Sequence, residues 1–130
     1  MGDRSRGSLT LALCGLVGVV LFVSGMLALF IPWAADVLFD LPAGHSISGN
    51  PLAGAFGIRQ LGIGTMIIVL ALLRELRGLG IVMVVGAIVP LADFFIFSTQ
   101  IGVVSSLRHG ATVPVVAGLG VYLLVSKKLR

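Results

Sequence analysis

Four apolar stretches, residues 9–30, 52–73, 79–97 and 111–125, decide which solvent this 130-residue chain can fold in. A helix rises 1.5 Å per residue, so crossing about 30 Å of hydrocarbon takes about 20 residues. The first three stretches are long enough unaided. The fourth, 15 residues, needs His109, Gly110 and Ser126 at its ends to reach the minimum of about 17. With 58% hydrophobic and 11% charged residues, polar side chains are too few to cover a water-facing surface. The expected fold is therefore all-α: a four-helix transmembrane bundle, one integral membrane domain over residues 1–130, with an outer loop at 31–51.

The cations set the expected orientation. Arg4 and Arg6 precede the first stretch, Arg74 and Arg77 lie between the second and third, and Lys127, Lys128 and Arg130 end the chain. Four crossings put these places on one side, so seven of the nine Lys and Arg residues are together, while loop 31–51 has none. The positive-inside rule then predicts a multi-pass protein of the cell membrane with both termini cytoplasmic. Because these cations flank apolar runs rather than forming one exposed face, no nucleic-acid partner is expected; the expected partner is the lipid bilayer. The first stretch is longer than the 7–15 residues typical of a signal-peptide core and reads as a membrane helix, and Gly2 lacks the context for myristoylation.

Pro32 should stop the first helix beside Trp33, a headgroup-level anchor. Val37, Leu38, Phe39 and Leu41, with Asp36 and Asp40, suggest a short interfacial helix, and Pro42, Gly44, Gly49, Asn50 and Pro51 punctuate the rest of a lid. The two acids read as solvated loop charges. In lipid, close backbone approach drives helix association, and Cys14-xxx-Gly18 and Ala53-xxx-Gly57, with Gly62, Gly64, Gly86, Gly118 and Gly120, supply small-residue surfaces. So small a bundle makes a homo-oligomer plausible. A lone Cys14 excludes an internal disulfide and reads as a packing residue.

Two charges fall inside apolar stretches: Arg59 in the second and Asp93 in the third. Each costs about 2.5–3.5 kcal/mol alone at mid-membrane, so each needs a partner. Both lie 17 positions from Leu76, the centre of the short connection, so an antiparallel hairpin brings them to one depth in the outer half of the bilayer. The spacing predicts an Arg59–Asp93 ion pair, with Gln60 and Gln100 satisfying leftover polar atoms. Pro90 removes a backbone hydrogen bond to Gly86 and should bend the helix just below Asp93, opening space for a pocket. His109, beside Arg108 at the outer end of the fourth helix, and His45 and Asn50 in the lid are secondary candidates. No HExxH or closely spaced ligand set occurs, so no metal site is expected, and nothing specifies a cofactor.

The runs Ala55-Phe56-Gly57-Ile58-Arg59-Gln60-Leu61-Gly62, Arg77-Gly78-Leu79-Gly80, Pro90-Leu91-Ala92-Asp93 and Leu107-Arg108-His109-Gly110 resemble the DUF4267 family of small integral membrane proteins. The resemblance covers residues 50–125, and the family is similar in architecture to DoxX-like four-helix membrane proteins. It implies that Arg59, Asp93 and His109 occupy the family's polar positions. Gln60 stands where the resemblance implies an acidic or amide residue, which leaves any acid role to Asp93.

Together these features favour a pocket built on Arg59 and Asp93 that binds or transforms a small apolar molecule bearing a polar group. In an enzyme, Asp93 would exchange a proton while Arg59 steadied negative charge, as in isomerisation or epoxide opening. The rival readings are a structural or accessory membrane subunit, in which the pair only fixes helix register, and a small-molecule transporter, for which the first helix lacks the acidic residue that cation export would use.

Overall fold

A computed structural model describes residues 2–31, 33–39, 46–47 and 49–126, and their side chains except those of residues 2–6, 39 and 108. Six helices follow one another: α1 (Gly2–Phe30), α2 (Ala34–Phe39), α3 (Pro51–Leu72), α4 (Leu76–Gly86), α5 (Ile88–Ile101) and α6 (Val103–Val125), with no strand among the described residues. They make four membrane-length apolar crossings: Gly7–Phe30, Pro51–Leu72, Leu76–Ile101 and Val103–Val125. The chain is thus an all-α, four-helix transmembrane bundle. The end that carries both termini is the terminal end below, and the opposite one the loop end.

The bundle is two tight pairs, loosely opposed. In the first, α1 and α3 run antiparallel with glycines at heptad spacing on both helices, Gly18 and Gly25 facing Gly64 and Gly57. A Cβ at Gly64 would stand 2.5 Å from the Phe22 nitrogen, and one at Gly25 2.6 Å from that of Leu61, so only glycine permits this approach. In the second pair Gly80 of α4 and Gly120 of α6 do the same, a Cβ at Gly120 meeting the Gly80 oxygen at 2.9 Å. By contrast, Gly62, Gly86 and Gly118 have nothing within 4 Å of an added Cβ. The small-residue surfaces expected from sequence therefore divide: Gly18, Gly57, Gly64 and Gly120 make helix contacts, and Gly25 and Gly80 join them.

Where the pairs meet towards the terminal end, Cys14, Ile67, Leu79, Met83 and Leu123 form a fully buried cluster drawn from α1, α3, α4 and α6. A second cluster, Ala28, Ala35 and Ala53 with Leu38, Ile47 and Phe56 against it, ties α2 across the loop end of α1 and α3. The short helix expected near residue 37 is thus present, although Asp40 and Leu41 lie outside the described residues. Asp36 is no solvated loop charge: its carboxylate accepts from Ser46 Oγ (2.6 Å) and the Ile47 N–H (2.7 Å), which ties the returning chain to α2.

Two connections are tighter than expected. Between α3 and α4 the Glu75 N–H reaches the Leu70 carbonyl (3.0 Å) and the Arg74 N–H that of Ala71 (3.2 Å), a Schellman ending in which Arg74 takes φ 56°. That conformation favours glycine, so Arg74→Gly is expected to stabilise the bundle by about 0.5–1 kcal/mol in an SDS unfolding titration. At the loop end, Gly102 alone (φ 86°) separates α5 from α6. The fourth crossing therefore starts at Val103 rather than residue 111, and α5 extends to Ile101 rather than residue 97. The polar residues here stay helical because their hydroxyls donate to nearby carbonyls: Ser98 to Phe95, Thr99 to Ile96 and Ser106 to Gly102, at 2.7–2.9 Å. His109 consequently lies inside α6, six residues or about 9 Å from its start, instead of capping its end.

The third crossing breaks at Ala87, between α4 and α5. Pro90 has no N–H to give the Gly86 carbonyl, and the interruption falls where the sequence places the loss of that hydrogen bond. Pro114 sits inside α6. A Cβ at Gly110 would meet the Phe94 ring at 3.0 Å, and four residues further along each antiparallel helix Pro90 stands level with Pro114.

Candidate functional site

Arg59 lies eight residues into α3 and Asp93 eight residues before the end of α5, so each sits about 12 Å below the loop end. Equal depth on opposed helix pairs brings the side chains together: Arg59 Nη2 donates to Asp93 Oδ2 at 2.9 Å. The ion pair read from sequence spacing is thus formed. Its partners are unequally sheltered, with 13% of the Asp93 side chain exposed against 38% of the Arg59 side chain. The guanidinium carbon also stands 5.5 Å from the centre of the Phe56 ring, within cation–π range. Arg59 Nε is buried and makes no hydrogen bond with the described residues.

Between the two helix pairs lies a cavity of about 510 Å³. Its floor is the buried cluster, represented by Ile67 and Met83, and its roof is Leu38 of α2 with Phe56. Aliphatic side chains of α1, α3, α4, α5 and α6 make most of the wall. Polar groups interrupt it at Ser24, Gln60, Asp93, His109 and Thr112. Such a volume falls within the roughly 300–1,000 Å³ of small-molecule sites, and an apolar wall with a few convergent polar groups is their usual composition. The space is not confined to the level of the ion pair but runs inward from it, because Pro90 and Gly86 form part of the wall below Asp93.

Of the residues singled out from sequence, Asp93, Gln60 and His109 come together on this cavity. Arg59 does not line it; it holds Asp93 from behind. The His109 ring stacks on Phe97, centroids 5.0 Å apart and planes 22° from parallel, which fixes its orientation. Gln100 is exposed near the end of α5 and away from the wall. Asn50 is the N-cap of α3, its Oδ1 accepting the Leu52 N–H at 3.0 Å. His45 lies outside the described residues. Among the described residues no group of three His, Cys, Asp or Glu side chains could hold a metal ion.

Gly86, whose carbonyl Pro90 leaves without a donor, lines the cavity as well, and so do Ser24 and Thr112, which were not singled out from sequence. A signal for Thr112 was available: Gly86-Ala-Ile-Val-Pro90 and Gly110-Ala-Thr-Val-Pro114 repeat one pattern, and both segments contribute to the wall.

No curated protein and no solved structure matches the chain. The family described as "Domain of unknown function (DUF4267)" matches residues 18–123, from the middle of α1 to near the end of α6. The family pattern therefore takes in half of α1 and the whole lid, beyond residues 50–125 where the resemblance was first read. By this match over most of its length, the chain belongs to the DUF4267 family.

Proposed function

We propose that the protein binds a small, largely apolar molecule in the cavity between its two helix pairs, with the polar part of that molecule beside Asp93. One observation carries this reading: a space of about 510 Å³, walled by aliphatic side chains, has on its wall a carboxylate held in place by an arginine. Two part-buried charges that served only to fix helix register would need no space beside them. Arg59 stands behind Asp93, out of the wall, which favours binding over a reaction in which the guanidinium steadies charge on the bound molecule. The transporter reading gains nothing from α1, whose contribution to the wall is Leu16, Val17, Val20, Leu21 and Ser24, without a charge. The site of action on this reading is the cell membrane, with both termini cytoplasmic, supported by the seven of nine cations that flank the terminal end.

Filling the cavity tests the proposal. Wild-type protein and an Ile63→Trp variant, purified from the same membranes, are extracted with organic solvent and compared by mass spectrometry. The expected result is a compound retained in near-stoichiometric amount by the wild type and depleted at least about tenfold in the variant, which for a nearly saturated site takes a loss of about 3 kcal/mol of binding. Identical extracts would remove the proposal.

A further inference from the structure

The hydrogen-bonding sense of the cavity wall limits what polar group the bound molecule carries. Ser24 Oγ spends its proton on the Leu21 carbonyl (2.8 Å), and Thr112 Oγ1 spends its own on that of His109 (2.7 Å). Each hydroxyl therefore has only lone pairs left to offer. Asp93 is an acceptor too: Oδ2 is held by Arg59, and Oδ1 makes no hydrogen bond with the described residues. Gly86, also on the wall, has a carbonyl to which Pro90 gives no N–H. Gln60 and the His109 imidazole each carry both senses, so with Asp93, Ser24, Thr112 and the Gly86 carbonyl acceptors outnumber donors among these groups.

Charge narrows the choice further. Arg59 already neutralises Asp93, so an ammonium group would bring a second cation to one carboxylate in a low-dielectric site. A carboxylate or phosphate would turn its lone pairs towards those of Asp93, Ser24 and Thr112. A hydroxyl group meets neither objection, since it donates to an acceptor and carries no charge.

We infer that the occupant is a neutral alcohol: a hydrophobic body, aliphatic or alicyclic, whose single hydroxyl donates to the acceptor cluster of Asp93, Ser24, Thr112 and the Gly86 carbonyl. This rests on the binding reading above and adds the chemical class.

Four probes with one hydrophobic chain separate the two. Dodecanol, dodecylammonium, dodecanoate and dodecane are added at equal bilayer mole fraction to lipid nanodiscs holding the wild type or the Ile63→Trp variant, and thermal midpoints are recorded. Val116→Phe takes the place of Ile63→Trp if circular dichroism shows the latter unfolded. The expected result is a midpoint raised by dodecanol about 4 °C more than by any other probe in the wild type, a difference absent from the filled variant. A larger response to dodecylammonium or dodecanoate would overturn the alcohol assignment and leave the binding reading standing. An equal response to all four probes that the filled variant loses would do the same. Responses alike in both proteins for every probe would overturn the binding reading and the alcohol assignment with it.

Discussion

Replacing Asp93 with leucine is expected to cost the bundle about 2–3 kcal/mol in an SDS unfolding titration, and replacing Arg59 with leucine as well is expected to restore most of it. Removing one member of a buried pair leaves an unpaired charge, which costs about 3–5 kcal/mol where both groups are fully buried. The lower figure is expected because 38% of the Arg59 side chain is exposed and its long stem can carry the charge towards the headgroups. The double variant leaves no such charge, and apolar replacements for a buried pair are often close to neutral. The comparison separates stability from function. If the Arg59→Leu/Asp93→Leu protein folds to within about 1 kcal/mol of the wild type yet retains no bound molecule, the pair is kept for binding. A double variant as unstable as Asp93→Leu alone would show that the cost lies in packing rather than charge.

The second large effect belongs to the glycines. Gly64→Val is expected to destabilise the α1–α3 pair by about 3 kcal/mol or to prevent its assembly, because a Cβ there meets the Phe22 nitrogen at 2.5 Å and the Gly18 oxygen at 2.7 Å. Backbone atoms cannot step aside as a flexible side-chain tip can. Two residues earlier, Gly62→Ala is expected to be neutral or stabilising by up to about 1 kcal/mol, since nothing lies within 4 Å and alanine is the better helix former. A Förster pair on the ends of α1 and α3 reports the separation directly. Equal behaviour of the two variants would mean that the close approach is not what holds the pair.

What could be read from the sequence follows from what each signal encodes. Hydropathy gave three crossings within a few residues of their ends, because lipid requires an unbroken apolar helix and the residues say so directly. Symmetric spacing about Leu76 placed Arg59 beside Asp93, since a short turn makes depth a matter of counting. The start of the fourth crossing was misplaced by eight residues because Ser105, Ser106, Arg108 and His109 lower the hydropathy. Hydropathy treats a serine as polar whether or not its hydroxyl already has a carbonyl, as Ser106 does. Facing is the harder problem. Gly62 and Gly64 are two residues apart, so they point to different sides of α3, and nothing in composition says which side meets α1. The same limit hid Ser24, which matters only once the helices are placed around a common space.

The division into two tight pairs has a consequence for how the protein is made. Each pair is a local hairpin, α1 with α3 and the α4–α5 crossing with α6, and helices leave the ribosome in that order. Arg59 therefore reaches the bilayer with α1 already available to its glycine face but before its carboxylate has been synthesised. Until α5 arrives, the first hairpin carries an uncompensated cation, at a cost below the mid-membrane figure of about 2.5–3.5 kcal/mol because its stem can reach towards the headgroups. Docking of the second hairpin relieves it. A truncated chain ending after α3 would keep that burden, so the residue that positions Asp93 in the finished protein also disfavours an assembly that stops at the first hairpin.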